Sequence, residues 1–155
     1  MQITSRFTIA LHIFACLYAF PEEKITSDFL AGSIRTNPVI IRRILSQMKN
    51  AGLITVARGT GGITVARPPE AICFLDVYRA IEPVEKGELF HFHESPNPDC
   101  PVGRNIHVLL DEKLEAAQKA MEDKLREYTL ADLRDGLEEI LSGEMSAPAG
   151  KGREA

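Results

Sequence analysis

Tryptophan is absent from the chain, aromatic residues make up only 6% of it, and cysteine occurs three times. So few aromatics single out no special binding surface. Cys16, Cys73 and Cys100 are an odd set separated by 57 and 27 residues. Such spacing makes neither a disulfide framework nor a CxxC zinc site, so reduced thiols are expected. No apolar run reaches the roughly eighteen residues that span a bilayer. The best stretch, Ile9 to Phe20, is broken by His12 and followed by Pro21, Glu22, Glu23 and Lys24. A signal peptide needs a small-residue cleavage site there, so a cytoplasmic protein without a membrane partner is expected. Enzyme signatures are missing as well: no glycine loop that cradles a nucleotide, no G-x-S-x-G turn, no H-E-x-x-H helix. The stretch Arg58-Gly59-Thr60-Gly61-Gly62 lacks the lysine of a phosphate loop. The chain is read as no enzyme.

What is present suits one compact domain, or a small domain with an appended helical element, at 155 residues with 45% hydrophobic and 26% charged content. The net charge of −4 hides an asymmetry. Residues 1–67 carry eight Lys/Arg against three Asp/Glu, and the remainder carries ten against nineteen. A basic half joined to an acidic half is the footprint of a phosphate-binding unit tied to one that stays clear of the backbone.

Phe7, Ile9, Ala10, Ile13, Phe14, Leu17 and Tyr18 recur at helical spacing, which predicts a helix from Ser5 to Phe20 stopped by Pro21. Thr26 or Ser27 caps a second, through Phe29, Leu30 and Ile34, ending near Arg35. Thr36-Asn37-Pro38 starts a third, because asparagine caps well and proline at the first position loses no needed donor. That helix is expected over Pro38 to Ala51, burying Ile41, Ile44, Leu45 and Met48, with Gly52 and Leu53 as its left-handed stop. Two β-branched runs, Ile54 to Ala57 and Ile63 to Ala66, flank the glycine-rich turn and predict a hairpin. A helix is expected from Pro69 to Ile81, packing through Ile72, Leu75, Val77 and Ala80. A loop from Glu82 to Asp99 follows. Pro101 opens the longest pattern, in which Val102, Ile106, Leu110, Leu114, Ala117, Met121 and Leu125 form an apolar stripe. That stripe is read either as a dimer seam or as a face folded back on its own domain. Thr129 caps a last short helix with Leu130, Leu133, Leu137 and Ile140, and the tail from Ser142 is expected to be disordered.

Three helices followed by a glycine-tipped hairpin have the order of a winged helix-turn-helix. The expected fold is therefore mostly α with a small β-hairpin wing and a long C-terminal dimerisation helix. The winged unit covers 1–67, a linking helix and effector-type loop 68–99, the dimerisation helix and terminal short helix 100–141, and the tail 142–155. Arg42 and Arg43 on the third helix reach phosphates or guanine edges. Thr26, Ser27, Thr36, Asn37, Pro38 and Val39 surround the helix starts that meet DNA. Arg58, with Gly59, Thr60 and Gly61, suits a narrow minor groove.

At these residues the sequence resembles the IscR/NsrR/CymR group of bacterial repressors, the Rrf2 regulators. The resemblance is carried by the opening helix Phe7 to Tyr18, "VIIRRILSQMKNAGLI" ending at Ile54, the wing "ARGTGG", and "PNPDCPVGRNI" from Pro96 to Ile106. Family wings commonly read Arg-Gly-x-Gly-Gly-Gly; here Arg58 is kept and Ile63 stands in place of the third glycine. The resemblance implies a homodimer whose long helices cross and whose recognition helices address a palindrome in double-stranded DNA, with repression as the usual outcome. Some relatives hold an iron-sulfur cluster through three loop cysteines, whereas this loop offers Cys100 alone, so no cluster and no other cofactor is expected.

Pro101 makes Cys100 the cap of the long helix, where free N–H groups favour a thiolate. It is read as a redox or electrophile sensor, as a packed capping residue, or, with His91, His93 and His107, as a weak metal candidate. His12 is expected in the core or an interface. Asp111-Glu112 and Glu138-Glu139 are taken as solvated faces. The competing function is a helical adaptor that keeps the winged helix without binding DNA; steep salt dependence separates the two.

Overall fold

The computed structural model describes residues 5–59, 62–82, 89–90 and 93–146. The first helix, α1 (Ser5–Ala19), buries Phe7, Ala10, Ile13, Phe14 and Leu17 at three- and four-residue steps and ends one residue before Phe20. For α2 (Ser27–Ile34), the Thr26 hydroxyl accepts the Phe29 N–H at 3.2 Å. Its end is less usual: Arg35 takes a left-handed conformation at φ 56°, and the Thr36 N–H returns to the Ala31 carbonyl at 3.2 Å. A side chain there costs about 1–2 kcal/mol. This strained corner turns the chain straight into α3 (Pro38–Asn50), where Asn37 Oδ1 accepts the Val39 N–H at 2.8 Å. Gly52 at φ 72° closes α3, with Gly52 N–H donating to Lys49 O and Leu53 N–H to Met48 O, both at 3.0 Å. This paired stop buries Leu53 and feeds the chain into the hairpin.

Strands β1 (Ile54–Val56) and β2 (Ile63–Val65) pair antiparallel, with Ile54 opposite Val65, Thr55 opposite Thr64 and Val56 opposite Ile63. Thr55 and Thr64 hydroxyls meet at 2.6 Å on the outer face. The wing is tied to the body because Ile63 N–H donates to Ile25 O at 3.2 Å. Gly62 permits that approach: a Cβ there would lie 3.3 Å from Lys24 Cγ and 3.5 Å from the Ile25 nitrogen.

One continuous helix from Pro69 to Ile81 does not form. A 3-10 turn at Pro69–Ala71 gives way to extended Ile72, and α4 spans Phe74–Ile81. The Asp76 carboxylate accepts the Cys73 backbone N–H at 3.0 Å and so caps α4. The break has a tertiary cause. Phe74 N–H donates to Tyr128 O at 2.8 Å and Leu130 N–H to Ile72 O at 2.9 Å, stitching this segment to the last inter-helix corner. Two such bonds, at roughly 0.5–1.5 kcal/mol each, outweigh helix propensities that differ by tenths of a kcal/mol.

Helix α5 (Pro101–Glu127) runs for 27 residues and has no fully buried residue. Its C-terminal half leans on α4, with Arg79 and Glu122 paired at 3.7 Å and with Met121 and Leu125 packed against the core. Helix α6 spans Leu130–Ser146, capped by Thr129 and Asp132 bonding each other's N–H, at 3.4 and 2.8 Å. It buries Leu130 and Ala131 against the body. The helix therefore continues past the expected tail boundary at Ser142; 147–155 lie outside the described residues. Gly143 costs only about 1 kcal/mol relative to alanine, and the next strong breaker is Pro148. The core sits where α1, α3 and α4 meet the strands, around Phe14, Ile41, Ile44, Met48 and Leu75. No helix among the described residues is long and apolar enough to cross a membrane.

Candidate nucleic-acid interface

Helix α3 buries Ile41, Ile44, Leu45 and Met48, which leaves Val39, Arg43, Ser46 and Asn50 on the opposite side at steps of four, three and four. All four are exposed, Val39 by 47%. Arg42 and Lys49 lie on the flank toward α2 and β1, and Gln47 on the other flank accepts a hydrogen bond from the Arg6 guanidinium. Val39, Arg42 and Arg43, the α3 side chains expected to meet DNA, are thus exposed, and Ser46, Lys49 and Asn50 lie beside them toward the helix C-terminus. A full helical wheel of 38–50 carries that signal. Around it, Thr26 and Asn37 are exposed and serve as caps, while Ser27, Thr36 and Pro38 are half-buried beside them. Arg58 and Gly59 are exposed at the start of the wing turn, Gly59 at φ 72°. Thr60 and Gly61 lie outside the described residues.

The charges of the head are unspent. Lys24, Arg35, Arg42, Arg43, Lys49, Arg58 and Arg67 are all exposed, and none has a hydrogen-bond or ion-pair partner among the described residues. In the C-terminal half the opposite holds. Lys119 and Arg126 share Asp123, both at 2.7 Å, Lys124 meets Glu127 at 2.8 Å, and Arg134 bridges Glu70 and Asp135. The shared Asp123 carboxyl is held below the usual range by its bonds from Lys119 and Arg126.

Cys100 is the cap residue of α5. The backbone N–H groups of Gly103 and then Val102 face its sulfur and lower the thiol pKa, although neither completes full hydrogen-bond geometry. The turn behind it is tight: Cys100 N–H donates to Asn97 O at 3.3 Å, and a Cβ on Gly103 would lie 2.5 Å from that oxygen. Among the described residues the remaining metal candidates form no ligand cluster with it. His93 and His107 stack at 6.2 Å between ring centroids, His107 meets Asp111 at 3.1 Å, and His91 lies outside the described residues. Among the described residues no three His, Cys, Asp or Glu side chains converge as metal ligands. His12 is exposed, its Nε2 3.4 Å from Ser33 Oγ, instead of entering the core.

The apolar stripe of α5 divides. Met121 and Leu125 fold onto their own core, and Ile106, Leu110 and Leu114 are half-buried. The open face turns instead to Val102, 64% exposed, and Leu109, 53% exposed, followed by Ala116, Ala117 and Ala120. Val102, Leu109 and Ala116 recur every seven residues, a seam-like spacing that steps of four concealed.

Comparison with known proteins gives this surface its setting. Residues 3–136 match the Rrf2 family, described as iron-dependent transcriptional regulators. Over 136 residues the chain is 42% identical to YwnA of Bacillus subtilis (strain 168), described as a candidate HTH-type transcriptional regulator, covering 88% of this chain and 99% of YwnA. A crystal structure of a candidate DNA-binding protein is 36% identical with a TM-score of 0.66, covering 83% of this chain and 98% of the other. A candidate transcriptional regulator from Lactobacillus plantarum is 26% identical with a TM-score of 0.74, covering 94% and 100%. The iron of the family description finds no fitting ligand set among the described residues. Cys16 is buried in α1, Cys73 donates to Asp76 at the start of α4, and Cys100 stands alone at the start of α5. These relatives are described as regulators, and the family match spans most of the sequence: the chain belongs to the Rrf2 family of transcriptional regulators.

Proposed function

We propose that this regulator is a cytoplasmic repressor that works as a homodimer on a palindromic operator. Each α3 enters a major groove with Arg43 and Val39 toward the bases, and Arg58 follows the wing into the adjoining minor groove. The dimer forms through the open face of α5, because Val102, Leu109 and the following alanines otherwise leave apolar surface in water. The observation that carries this reading is the set of seven exposed, unpartnered cations on the head beside an arm whose cations are mostly neutralised within the chain. Selection of bound fragments from a random duplex pool tests it. A palindrome with half-sites about ten base pairs apart is expected, with affinity falling steeply as salt rises. Recovery of no preferred sequence, with salt-insensitive binding, contradicts it and favours an adaptor.

The cap geometry of Cys100 favours a second element, a response to peroxide. The thiolate attacks one peroxide oxygen, the O–O bond breaks, hydroxide leaves, and a sulfenic acid remains on Cys100. The bulkier polar group then has to be accommodated in the Asn97–Gly103 turn, shifting the start of the dimer helix. Cys100→Ser is expected to remove the peroxide effect on operator binding; an unchanged effect rejects the sensor.

A further inference from the structure

Beside the outward face of α3 lies a groove of about 330 Å³ between α2, α3 and β1. Arg42, Ser46 and Lys49, at steps of four and three, form one wall; Ser27, the first residue of α2, stands opposite, with Leu45 and Val56 completing the lining. No carboxylate lines it. Asp28, one residue on, is exposed and outside the groove. The two cations and the two hydroxyls have no side-chain partner among the described residues. Two like charges beside an apolar floor repel each other in the free protein, so the arrangement is stabilised when an anion enters.

We propose that this groove seats one backbone phosphate of the bound DNA, held by Lys49, with the Ser27 and Ser46 hydroxyls as donors and Arg42 at its edge. The inference rests on the DNA-binding reading above and deepens it. A duplex lying along the Val39–Arg43–Ser46–Asn50 face presents its nearer strand to this flank, where three elements of the head converge. Such a seat fixes register and orientation and carries no sequence information. It separates Lys49 from Arg43, which faces the base edges.

The test uses the full chain and two probes, sheared mixed-sequence duplex and the duplex recovered by operator selection, titrated at several salt concentrations. Lys49→Gln is expected to weaken binding to both probes by the same roughly three- to tenfold and to reduce the slope of log affinity against log salt by about 1. Lys49→Arg, which keeps the charge, is expected to restore the slope, and Arg43→Gln to lose affinity chiefly on the selected duplex. Scanning the selected duplex with single neutral methylphosphonates is expected to find one position that weakens the unaltered protein and leaves Lys49→Gln indifferent. If the unaltered protein binds but Lys49→Gln keeps its salt slope, or loses affinity on the selected duplex alone, the seat is wrong and the DNA reading stands. If the unaltered protein binds neither probe, both fall.

Discussion

The head and the arm of this chain are built on opposite plans. In the head, most apolar side chains are spent inside, with Ile13, Phe14, Ile41, Ile44 and Met48 fully buried, and seven exposed cations have no partner among the described residues. In α5 five charged side chains are spent on one another, Lys119, Asp123, Arg126, Lys124 and Glu127, while Val102, Val108 and Leu109 stand exposed. Surface ion pairs of that kind are worth about 0–1 kcal/mol apiece, so they do little to hold α5 in place. Their effect is to leave the C-terminal half of α5 a poor anion-binding surface. The halves therefore differ in their most prominent unsatisfied surface, and the proposed function assigns each a different partner: a polyanion for the head, a second apolar face for the arm.

The largest expected effect breaks the arm's side of that comparison. Leu109 and Val108 are neighbours in sequence, 53% and 83% exposed, but they point to different sides of α5. Burying a leucine contributes about 1.5–3 kcal/mol, and a two-fold interface counts it twice. Leu109→Asp is expected to raise the dimer dissociation constant at least about a hundredfold in sedimentation equilibrium, whereas Val108→Asp leaves it nearly unchanged. Equal effects of the two substitutions would show that the open face identified above is not the seam.

The head's side is tested by charge. Arg42→Gln combined with Arg43→Gln is expected to cost roughly thirty- to a hundredfold in affinity for a selected operator, in line with about 1–3 kcal/mol for each good base or phosphate contact. Lys119→Gln combined with Arg126→Gln removes as many positive charges from the arm and is expected to change operator affinity less than about twofold, with stability lowered by no more than about 1 kcal/mol. Fluorescence anisotropy at fixed salt distinguishes the pairs. Similar losses from both would mean that total charge, and not its placement on the head, governs binding.

How much of this was legible in the sequence follows from how local each signal is. Thr26, Asn37-Pro38 and Gly52-Leu53 act within four residues of themselves, and the caps and stops they predict stand in the structure. The hairpin was legible for the same reason, since its two runs repeat across one turn. Sequence reading failed where distant segments decide. Ile72 and Cys73 are extended because Tyr128 and Leu130, more than fifty residues away, bond the Phe74 N–H and the Ile72 carbonyl on either side of Cys73. Arg35 in the left-handed region has no glycine to announce it. In α5 the steps of four picked a stripe that mixes core contacts, Met121 and Leu125, with open surface, because which face the body covers is a tertiary fact. At the candidate site the arginines were visible as residue types, while Ser46, Lys49 and Asn50 follow only when the wheel is carried round from the expected buried side, Ile41, Ile44, Leu45 and Met48.

The smallest effect sharpens the comparison through two thiols, Cys16 buried in the head and Cys100 at the start of the arm. Cys100 has its pKa lowered because the Gly103 and Val102 N–H groups stabilise the thiolate. A depressed folded pKa means that this stabilisation is present above the unfolded thiol's pKa and is lost as pH falls through the folded value. Alkylation by iodoacetamide, followed residue by residue with peptide mass analysis, is therefore expected to show Cys100 reacting with a midpoint below that of an ordinary thiol. Cys16, 4% exposed, is expected to react far more slowly at every pH. Gly103→Ala sets a Cβ 2.5 Å from the Asn97 carbonyl oxygen, so the turn has to shift and draw its N–H groups away from the sulfur. The Cys100 midpoint then rises toward the ordinary value. An identical midpoint in both proteins would mean that the helix cap does not activate the thiol, leaving the arm with no chemistry that the head lacks.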